Sequence, residues 1–227
     1  MNFQILLIIY FFALATEIFA NLSGSFQLQF FSKPSLMLIL IFYYVLNSKK
    51  LGSAKHLIIL ALVFSWLGDV LLLLDKQFKT FFIFGLIAFL VAHIFYIFYF
   101  WTIRKINNIN NLPNALIFVG VATYTLILFG FVAPNVKDLI VPVAIYALVI
   151  SVMFASSLIA FDLKLHASGK ICLAGTFLFL ISDSILAINR FVAPFTSAPV
   201  LIMATYAIAQ LLITEGSLRN LREVNNK

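Results

Sequence analysis

Cysteine is almost missing from this sequence of 227 residues, in which Cys172 is the single example. One cysteine excludes an internal disulfide and a metal site built from several thiolates. The three histidines, His56, His93 and His166, show no spacing of the HExxH kind, so the sequence predicts neither a bound metal nor a cofactor. We expect Cys172 to be a small residue at a helix contact.

Charge is also scarce. Charged residues make up 10% of the chain, whereas 63% is hydrophobic and the mean hydropathy is +1.10. A soluble domain carries about a quarter charged residues. The apolar runs are long enough to cross a hydrocarbon layer about 30 Å thick as helices, and the short alternating segments of a membrane barrel are missing. The composition therefore predicts an all-α, polytopic membrane helix bundle.

Eight apolar runs are predicted to be membrane helices, at about residues 3–20, 34–47, 56–74, 80–101, 113–131, 138–160, 170–189 and 198–216. The second run is short, so it either recruits Phe26 to Phe31 or forms a tilted or broken helix. The first is interpreted as a membrane helix and not a signal peptide, because it lacks a basic start and contains Glu17. Short connections leave room for one domain, residues 1–227.

Lysine and arginine fall unevenly on the two sides of the predicted bundle. The side with both termini has ten: Lys49, Lys50, Lys55, Arg104, Lys105, Lys164, Lys170, Arg219, Arg222 and Lys227. The other side has five: Lys33, Lys76, Lys79, Lys137 and Arg190. The positive-inside rule then places both termini in the cytoplasm, in what we interpret as a bacterial inner membrane. No basic patch with interleaved aromatics predicts a nucleic-acid partner, and the oligomeric state stays open.

Five ionisable side chains fall inside the predicted spans: Glu17, Asp69, His93, Asp183 and Glu215. A charged group at membrane depth is costly unless it is paired, hydrated or protonated, so each is a functional candidate. Glu17 and Glu215 lie near span ends and can reach the interface. Asp69 and Asp183 lie well inside their spans and are the stronger candidates.

The two aspartates have similar surroundings, FSWLGDVLLLL and FLFLISDSILA, and lie 114 residues apart, about half the chain. This similarity favours an internal duplication of a four-helix unit. Each aspartate is about fourteen residues into an outward-running helix, hence roughly 6 Å outside the membrane midplane. We expect the two carboxyl groups to face each other across the bundle interior; the alternative is that each bonds separately to a neighbouring helix.

A facing pair of carboxyl groups has a predictable chemistry. At a few ångströms in a low-dielectric pocket both cannot be ionised, so one is an acid and the other a base. Hydrolysis of an ether-type bond needs that division, because protonation creates an oxocarbenium-like centre that a base-activated water attacks. Further polar residues are either interhelical hydrogen-bonding groups or ligand contacts: Ser65, Trp66, Tyr96, Thr176 and Thr214.

Five segments, in this order, resemble the YhhN family of membrane proteins, which includes the lysoplasmalogenases: KPSLMLILIFYY, FSWLGDVLLLL, AHIFYIF, FLFLISDSILAINRF and MATYAIAQLLI. The resemblance covers nearly the whole chain. It implies a hydrolase without metal that cleaves the vinyl-ether bond of a lysophospholipid in the lipid bilayer, giving a fatty aldehyde and a glycerophospho-ethanolamine or -choline. It implies Asp69 and Asp183 as catalytic acids. Four other polar positions match, with the first expected at the phosphate end: Lys33, His93, Tyr206 and Gln210.

Two other functions remain open. A proton-coupled transporter or lipid-translocating protein would use the same two aspartates, and a structural membrane protein would only bury them with satisfied hydrogen bonds. Transporters often interrupt helices at the binding site with Gly or Pro. Neither aspartate-bearing span contains Pro, which favours a rigid pocket.

Overall fold

The computed structural model describes residues 3–75, 80–109, 115–163 and 166–226, which are helical except at short connections. No strand occurs in these ranges. A 3₁₀ turn, Lys137–Leu139, joins the fifth and sixth helices, and a π-helical turn, Ile188–Val192, follows the seventh. The eight helices are α1 (Phe3–Ser23), α2 (Phe26–Ser48), α3 (Lys55–Leu74), α4 (Phe81–Ile106), α5 (Ala115–Val136), α6 (Ile140–Ile159), α7 (Ala167–Ala187) and α8 (Ala198–Asn225).

Seven helical segments of the described chain are long and apolar enough to cross a membrane, with residues 115–159 counted as one segment. That segment reverses direction at Lys137, whose φ of 53° lies in the left-handed region. The hydroxyl oxygens of Thr125 on α5 and Ser151 on α6 are consequently 2.6 Å apart. The segment is a hairpin of two antiparallel helices, so the prediction of a polytopic helical membrane bundle is confirmed.

Two helices, α2 and α8, extend furthest beyond their predicted bounds. The α2 helix begins at Phe26 and contains Pro34, so the alternative in which the short apolar run recruits the preceding residues is the one observed. Its start is capped by Ser25, whose hydroxyl accepts a hydrogen bond from the Leu28 N–H at 3.4 Å. The α8 helix continues to Asn225, beyond the predicted end at residue 216, because Leu218 and Leu221 extend its buried stripe.

Consecutive helices alternate in direction, so the start of α1 and the end of α8 lie at one end of the bundle, here called the terminal end; the opposite end is the far end. At the terminal end Arg222 of α8 donates to Asn47 Oδ1 of α2 at 2.9 Å. At the far end Arg190 Nη1 lies 2.8 Å from Asp75 Oδ2. Both contacts join helix ends that were predicted to share a side. Four residues of the predicted charge distribution lie outside the described residues: Lys76, Lys79, Lys164 and Lys227.

Close helix packing brings the two aspartate-bearing helices into the interior. Gly68 of α3 faces the Phe89 ring of α4, and α7 packs on α8 so tightly that a Cβ at Gly216 would lie 2.8 Å from the Cys172 backbone nitrogen. Cys172 is buried in this contact. The bundle thereby places Asp69 of α3 toward α8, and Asp183 of α7 toward α4 and α6.

Candidate active site

Asp69 is held by residues from two other helices. The Tyr206 hydroxyl of α8 donates a hydrogen bond to Asp69 Oδ2 at 2.8 Å, and the Lys33 ammonium of α2 lies 3.8 Å from Oδ1. Asp69 is only 2% exposed. A buried carboxylate needs such partners, because an isolated charge in an apolar interior costs several kcal/mol. Lys33 and Tyr206, both singled out in the sequence, therefore belong to the surroundings of Asp69.

Gln210 lies one helical turn after Tyr206 and takes part in a hydrogen-bond chain between helices. Tyr96 of α4 donates to Gln210 Oε1 at 2.5 Å, and Gln210 Nε2 donates to Ser65 Oγ of α3 at 2.9 Å. All three residues are fully buried. The chain fixes α8 against α3 and α4, and so fixes Tyr206 opposite Asp69.

Asp183 has a different set of neighbours. Tyr146 of α6 donates a hydrogen bond to Asp183 Oδ2, and His93 Nε2 of α4 lies 3.9 Å from the same oxygen. The His93 ring is completely buried, with its edge or face against Tyr146 and Phe179 at centroid distances of 5.3 and 4.8 Å. Within the described part of the chain, neither His93 nitrogen has a hydrogen-bond partner. Asp183 thus lies between a phenol and a buried imidazole whose nitrogens make no hydrogen bond within the described residues.

The two carboxyl groups share the interior without sharing a hydrogen bond. Aromatic rings lie between them: Phe179 contacts both His93, next to Asp183, and Tyr206, next to Asp69. The expected facing pair is therefore not the arrangement observed in the described residues: each aspartate is bonded to its neighbouring helices, because partners on those helices are closer than the other carboxyl group.

The partners of the two aspartates occupy matching positions in the two halves of the chain. Asp69 and Asp183 are 114 residues apart, as are Tyr96 and Gln210, while Lys33 and Tyr146, and His93 and Tyr206, are each 113 apart. Each aspartate accordingly meets one residue from the helix before its own and one from the fourth helix of the other half. This arrangement is the one that a duplicated four-helix unit produces.

Tyr146 is the functional candidate that sequence reasoning missed. It lies in the apolar segment VPVAIYALVI, where nothing marks it as different from other membrane tyrosines. The available signal was its distance of 113 residues from Lys33, which would have been informative only with the duplication already aligned.

Asp183 also differs from Asp69 in its access to open space. A cavity of about 50 Å³ lies between α5, α6 and α7 and is lined by Asp183, by hydroxyl-bearing side chains that include Tyr146 and Tyr124, and by apolar side chains. A second, of about 40 Å³, adjoins Asp183 on the far-end side and reaches Arg190. The side chain of Asp183 is 12% exposed. Asp183 is thus a carboxyl group that borders an apolar, partly enclosed cavity.

The other two acids found inside the spans are bonded near the helix ends. Glu17 accepts hydrogen bonds from Ser32 at 2.5 Å and from Asn21 at 2.8 Å. Glu215 accepts from Tyr43 and from Arg219, each at 2.8 Å. No group of three His, Cys, Asp or Glu side chains suited to a metal occurs in the described ranges.

A polytopic helical membrane protein with two buried carboxyl sites is the class that this geometry defines. The YhhN family profile matches residues 28–217, and the chain belongs to that family. Over 171 residues it is 31% identical to lysoplasmalogenase TMEM86B of Homo sapiens, and the matched region is 74% of this chain and 66% of that protein. The chain thus spans slightly less than two thirds of that relative's length.

Two further relatives have the same kind of name. Lysoplasmalogenase TMEM86B of Rattus norvegicus is 31% identical over 190 residues, 83% of this chain and 71% of that protein. The lysoplasmalogenase of Mycobacterium bovis is 29% identical over 199 residues, 87% of this chain and 73% of that protein. No solved structure matches this chain.

Proposed function

We propose that this chain is a lysoplasmalogenase, which hydrolyses the vinyl-ether bond of a lysoplasmalogen to a fatty aldehyde and a glycerophospho-ethanolamine or -choline. Family membership and the names of the relatives support this proposal. The observation that carries it is Asp183, a carboxyl group that borders an apolar cavity at membrane depth. A protonated carboxylic acid in such surroundings is a suitable proton donor to a carbon atom.

In this mechanism Asp183 acts first as the acid. Tyr146 and His93 both approach Oδ2, which leaves Oδ1 to carry the transferable proton. Proton transfer to the vinyl carbon distant from oxygen gives an oxocarbenium ion and the Asp183 carboxylate, and the Tyr146 hydroxyl stabilises the new negative charge. The negative charge on Asp183 exists only between the two proton transfers, and the hydrogen bond from Tyr146 is strongest during that interval.

Water then completes the reaction. His93, whose two nitrogens have no hydrogen-bond partner within the described residues, orients a water that adds to the oxocarbenium carbon, and the proton released by that water returns to Asp183. The resulting hemiacetal breaks into the aldehyde and the glycerol hydroxyl. The net change is one water consumed, with the acid restored.

Asp69 has a supporting role in this scheme. The Lys33 ammonium lies 3.8 Å from Asp69 Oδ1, close enough to compensate a negative charge on that carboxyl group. In this scheme the negative charge of Asp69, on the other side of the aromatic layer, stabilises the oxocarbenium ion near Asp183. The two aspartates therefore divide the work as proton donor and fixed negative charge.

Transport is the alternative that uses the same aspartates. Both α3 and α7 run without interruption through Asp69 and Asp183, unlike the broken helices found at many transporter sites. Continuous helices hold a site rigidly and favour chemistry over alternating access.

The decisive experiment measures aldehyde release by the purified protein in detergent, from lysoplasmenylethanolamine and from its saturated ether analogue. We expect aldehyde from the vinyl ether alone, a slower rate in D₂O because protonation of carbon limits the rate, and loss of activity in Asp183→Asn and Asp69→Asn. The matched control is Asp138→Asn, an exposed aspartate in the 3₁₀ turn. A folded wild-type protein that releases no aldehyde would refute the proposal and favour transport.

We also propose that the terminal end of the bundle faces the cytoplasm of a bacterial inner membrane, as the distribution of Lys and Arg predicts. A fluorescent protein that folds only in the cytoplasm, fused after the C-terminus, is expected to fluoresce. An alkaline phosphatase inserted at the α5–α6 turn, at the far end, is expected to be active. The reverse pair of results would overturn this orientation.

A further inference from the structure

Three cavities follow one another along α5, α6 and α7, and neighbouring cavities share lining residues. The central cavity, at Asp183, shares Tyr146 and Asp183 with the cavity at the far end. It shares Thr125 and Ser151 with a third cavity of about 290 Å³ between α5 and α6. The path runs from Arg190 at the far end, past Asp183, toward Ala155 in the terminal-end half of α6. We name it the α5–α6 path.

The part of the path beyond Asp183 has walls suited to an alkyl chain. Its lining is apolar except for a few hydroxyl groups, and these are already hydrogen-bonded within the protein. Thr125 and Ser151 bond to each other and to the carbonyls of Val121 and Ala147 in their own helices. A molecule in this part of the path finds no free hydrogen-bonding group in the lining, so the walls favour a hydrocarbon chain.

The path is long enough for the first part of a fatty chain. Tyr146, beside the reacting bond, and Ala155 are nine residues apart on α6, which is about 13 Å along the helix axis. A zigzag chain of single bonds advances about 1.25 Å per carbon, so about ten carbons fit. The α5 wall is at the bundle periphery, where Val119, Leu126 and Ile127 are exposed. The fatty chain can therefore enter the path from the bilayer between α5 and α6, while its terminal carbons remain among the lipids.

The far end of the path carries a pair of opposite charges. The Arg190 guanidinium binds Asp75 at 2.8 and 3.3 Å and lies over the Phe82 ring, 4.2 Å from its centroid. Arg190 is seven residues beyond Asp183, or about 10 Å along the helix axis. An arginine beside a carboxylate complements a zwitterionic phosphoethanolamine or phosphocholine group, whose phosphate binds the guanidinium and whose ammonium binds Asp75.

We propose that a lysophospholipid occupies the α5–α6 path, with its alkenyl chain between α5 and α6, its vinyl ether at Asp183 and its phosphate at Arg190. This inference rests on the proposed function. It moves the phosphate contact from Lys33, the residue expected from the sequence, to Arg190, because Arg190 lines the cavity that adjoins Asp183, whereas Lys33 lines none of these three cavities. The bilayer is as apolar as the path, so the path positions the chain more than it increases affinity.

The location of the alkenyl chain is tested by substitutions that narrow the α5–α6 path. Val121→Phe on α5 and Ala155→Phe on α6 place a ring in the cavity between these helices. We expect each to lower the ratio of kcat/KM for an 18-carbon over an 8-carbon lysoplasmenylethanolamine by about tenfold or more. The control is Val119→Phe, the same substitution two residues away on the lipid-facing side, where Val119 is 58% exposed. Equal ratios in all three variants would overturn the location of the chain.

The contact between Arg190 and the phosphate is tested with a substrate that lacks phosphate, a 1-alkenylglycerol. Arg190→Gln is expected to lower the ratio of kcat/KM for lysoplasmenylethanolamine over 1-alkenylglycerol by about tenfold or more. Lys33→Gln is expected to lower both values together and leave the ratio near that of the wild type. A ratio that responds to Lys33→Gln and not to Arg190→Gln would return the phosphate to Lys33 and overturn this part of the proposal.

A binding measurement separates failure of this inference from failure of the proposed function. A lysophosphatidylethanolamine with a photoreactive group at mid-chain is bound to the wild-type protein, irradiated, and the labelled peptides are identified by mass spectrometry. Label on α5 and α6, reduced in Val121→Phe, supports the path even if no vinyl ether is hydrolysed. Label confined to other helices overturns the path even if aldehyde is released.

Discussion

Tyr146 is the residue whose hydroxyl controls the proposed acid most directly. It donates to Asp183 Oδ2 from the neighbouring helix α6, and its ring packs on His93. A hydrogen bond to a charged group contributes about 1.5 to 3 kcal/mol. The contribution is larger for the carboxylate than for the neutral acid, so it lowers the barrier to proton transfer rather than the energy of the resting enzyme.

Tyr146→Phe is therefore expected to reduce kcat for vinyl-ether hydrolysis by about tenfold or more, and to keep the slower rate in D₂O. The control is Tyr43→Phe, which removes a phenol from another carboxylate, Glu215, at the terminal end. Kinetics with matched thermal unfolding curves check both variants. Equal kcat in Tyr146→Phe and the wild type would show that the hydroxyl is only structural.

Lys33 and Asp69 form the second residue-scale case, because each compensates the charge of the other. Removing one partner of a buried ion pair costs about 3 kcal/mol, whereas removing both costs less. We expect Lys33→Gln and Asp69→Asn each to lower the thermal stability in detergent, and the double variant to recover part of the loss, with a coupling energy of about 1 kcal/mol or more. Strictly additive losses would mean that the 3.8 Å contact contributes nothing.

At the scale of elements, the contact between α7 and α8 decides where the α8 side chains lie. Gly175 and Gly216 let the two backbones approach, since a Cβ at Gly175 would be 2.8 Å from the Ile213 backbone nitrogen, and one at Gly216 would be 2.9 Å from the Ser168 carbonyl oxygen. Backbone atoms cannot move aside as side chains do. Tyr206 and Gln210 on α8 depend on this close approach for their positions opposite α3 and α4.

Gly216→Ala is expected to destabilise the protein by about 1 to 3 kcal/mol, because the added methyl group forces the helices apart. Gly130→Ala on α5, where nothing lies within 4 Å of the added Cβ, is the control and is expected to be neutral or slightly stabilising. Thermal unfolding in one detergent compares the two. A loss in Gly130→Ala as large as in Gly216→Ala would mean that glycine flexibility, and not helix contact, sets the cost.

For the whole molecule, the sequence predicts the bundle and the two aspartates because both follow from transfer free energies, which depend on local composition. The helix number and Asp69 and Asp183 were accessible in this way. The Tyr146 contact with Asp183 was not, because an interhelical hydrogen bond depends on helix rotation and on which helices become neighbours. The same limit explains Lys33, which was recognised as polar but was expected at a phosphate and not beside Asp69.

The matching halves of the chain also predict how it assembles. Each aspartate site is completed by the other half: Tyr206 of α8 reaches Asp69 of α3, and His93 of α4 reaches Asp183 of α7. Neither half alone can form either aspartate site, although each half has four helices and an apolar surface. The single domain predicted for residues 1–227 is thus a proposal with a physical reason.

The chain divided between α4 and α5, and expressed as residues 1–109 and 115–227 in one cell, is expected to reassemble in the membrane. An affinity tag on the first part should recover the second, and the mixture should release aldehyde from lysoplasmenylethanolamine, whereas either part alone should not. Gln210→Leu in the second part is expected to reduce recovery, because it removes the hydrogen bonds to Tyr96 and Ser65 that cross between the halves. Activity from one part alone would contradict the single domain, since a half-chain would then form a complete site.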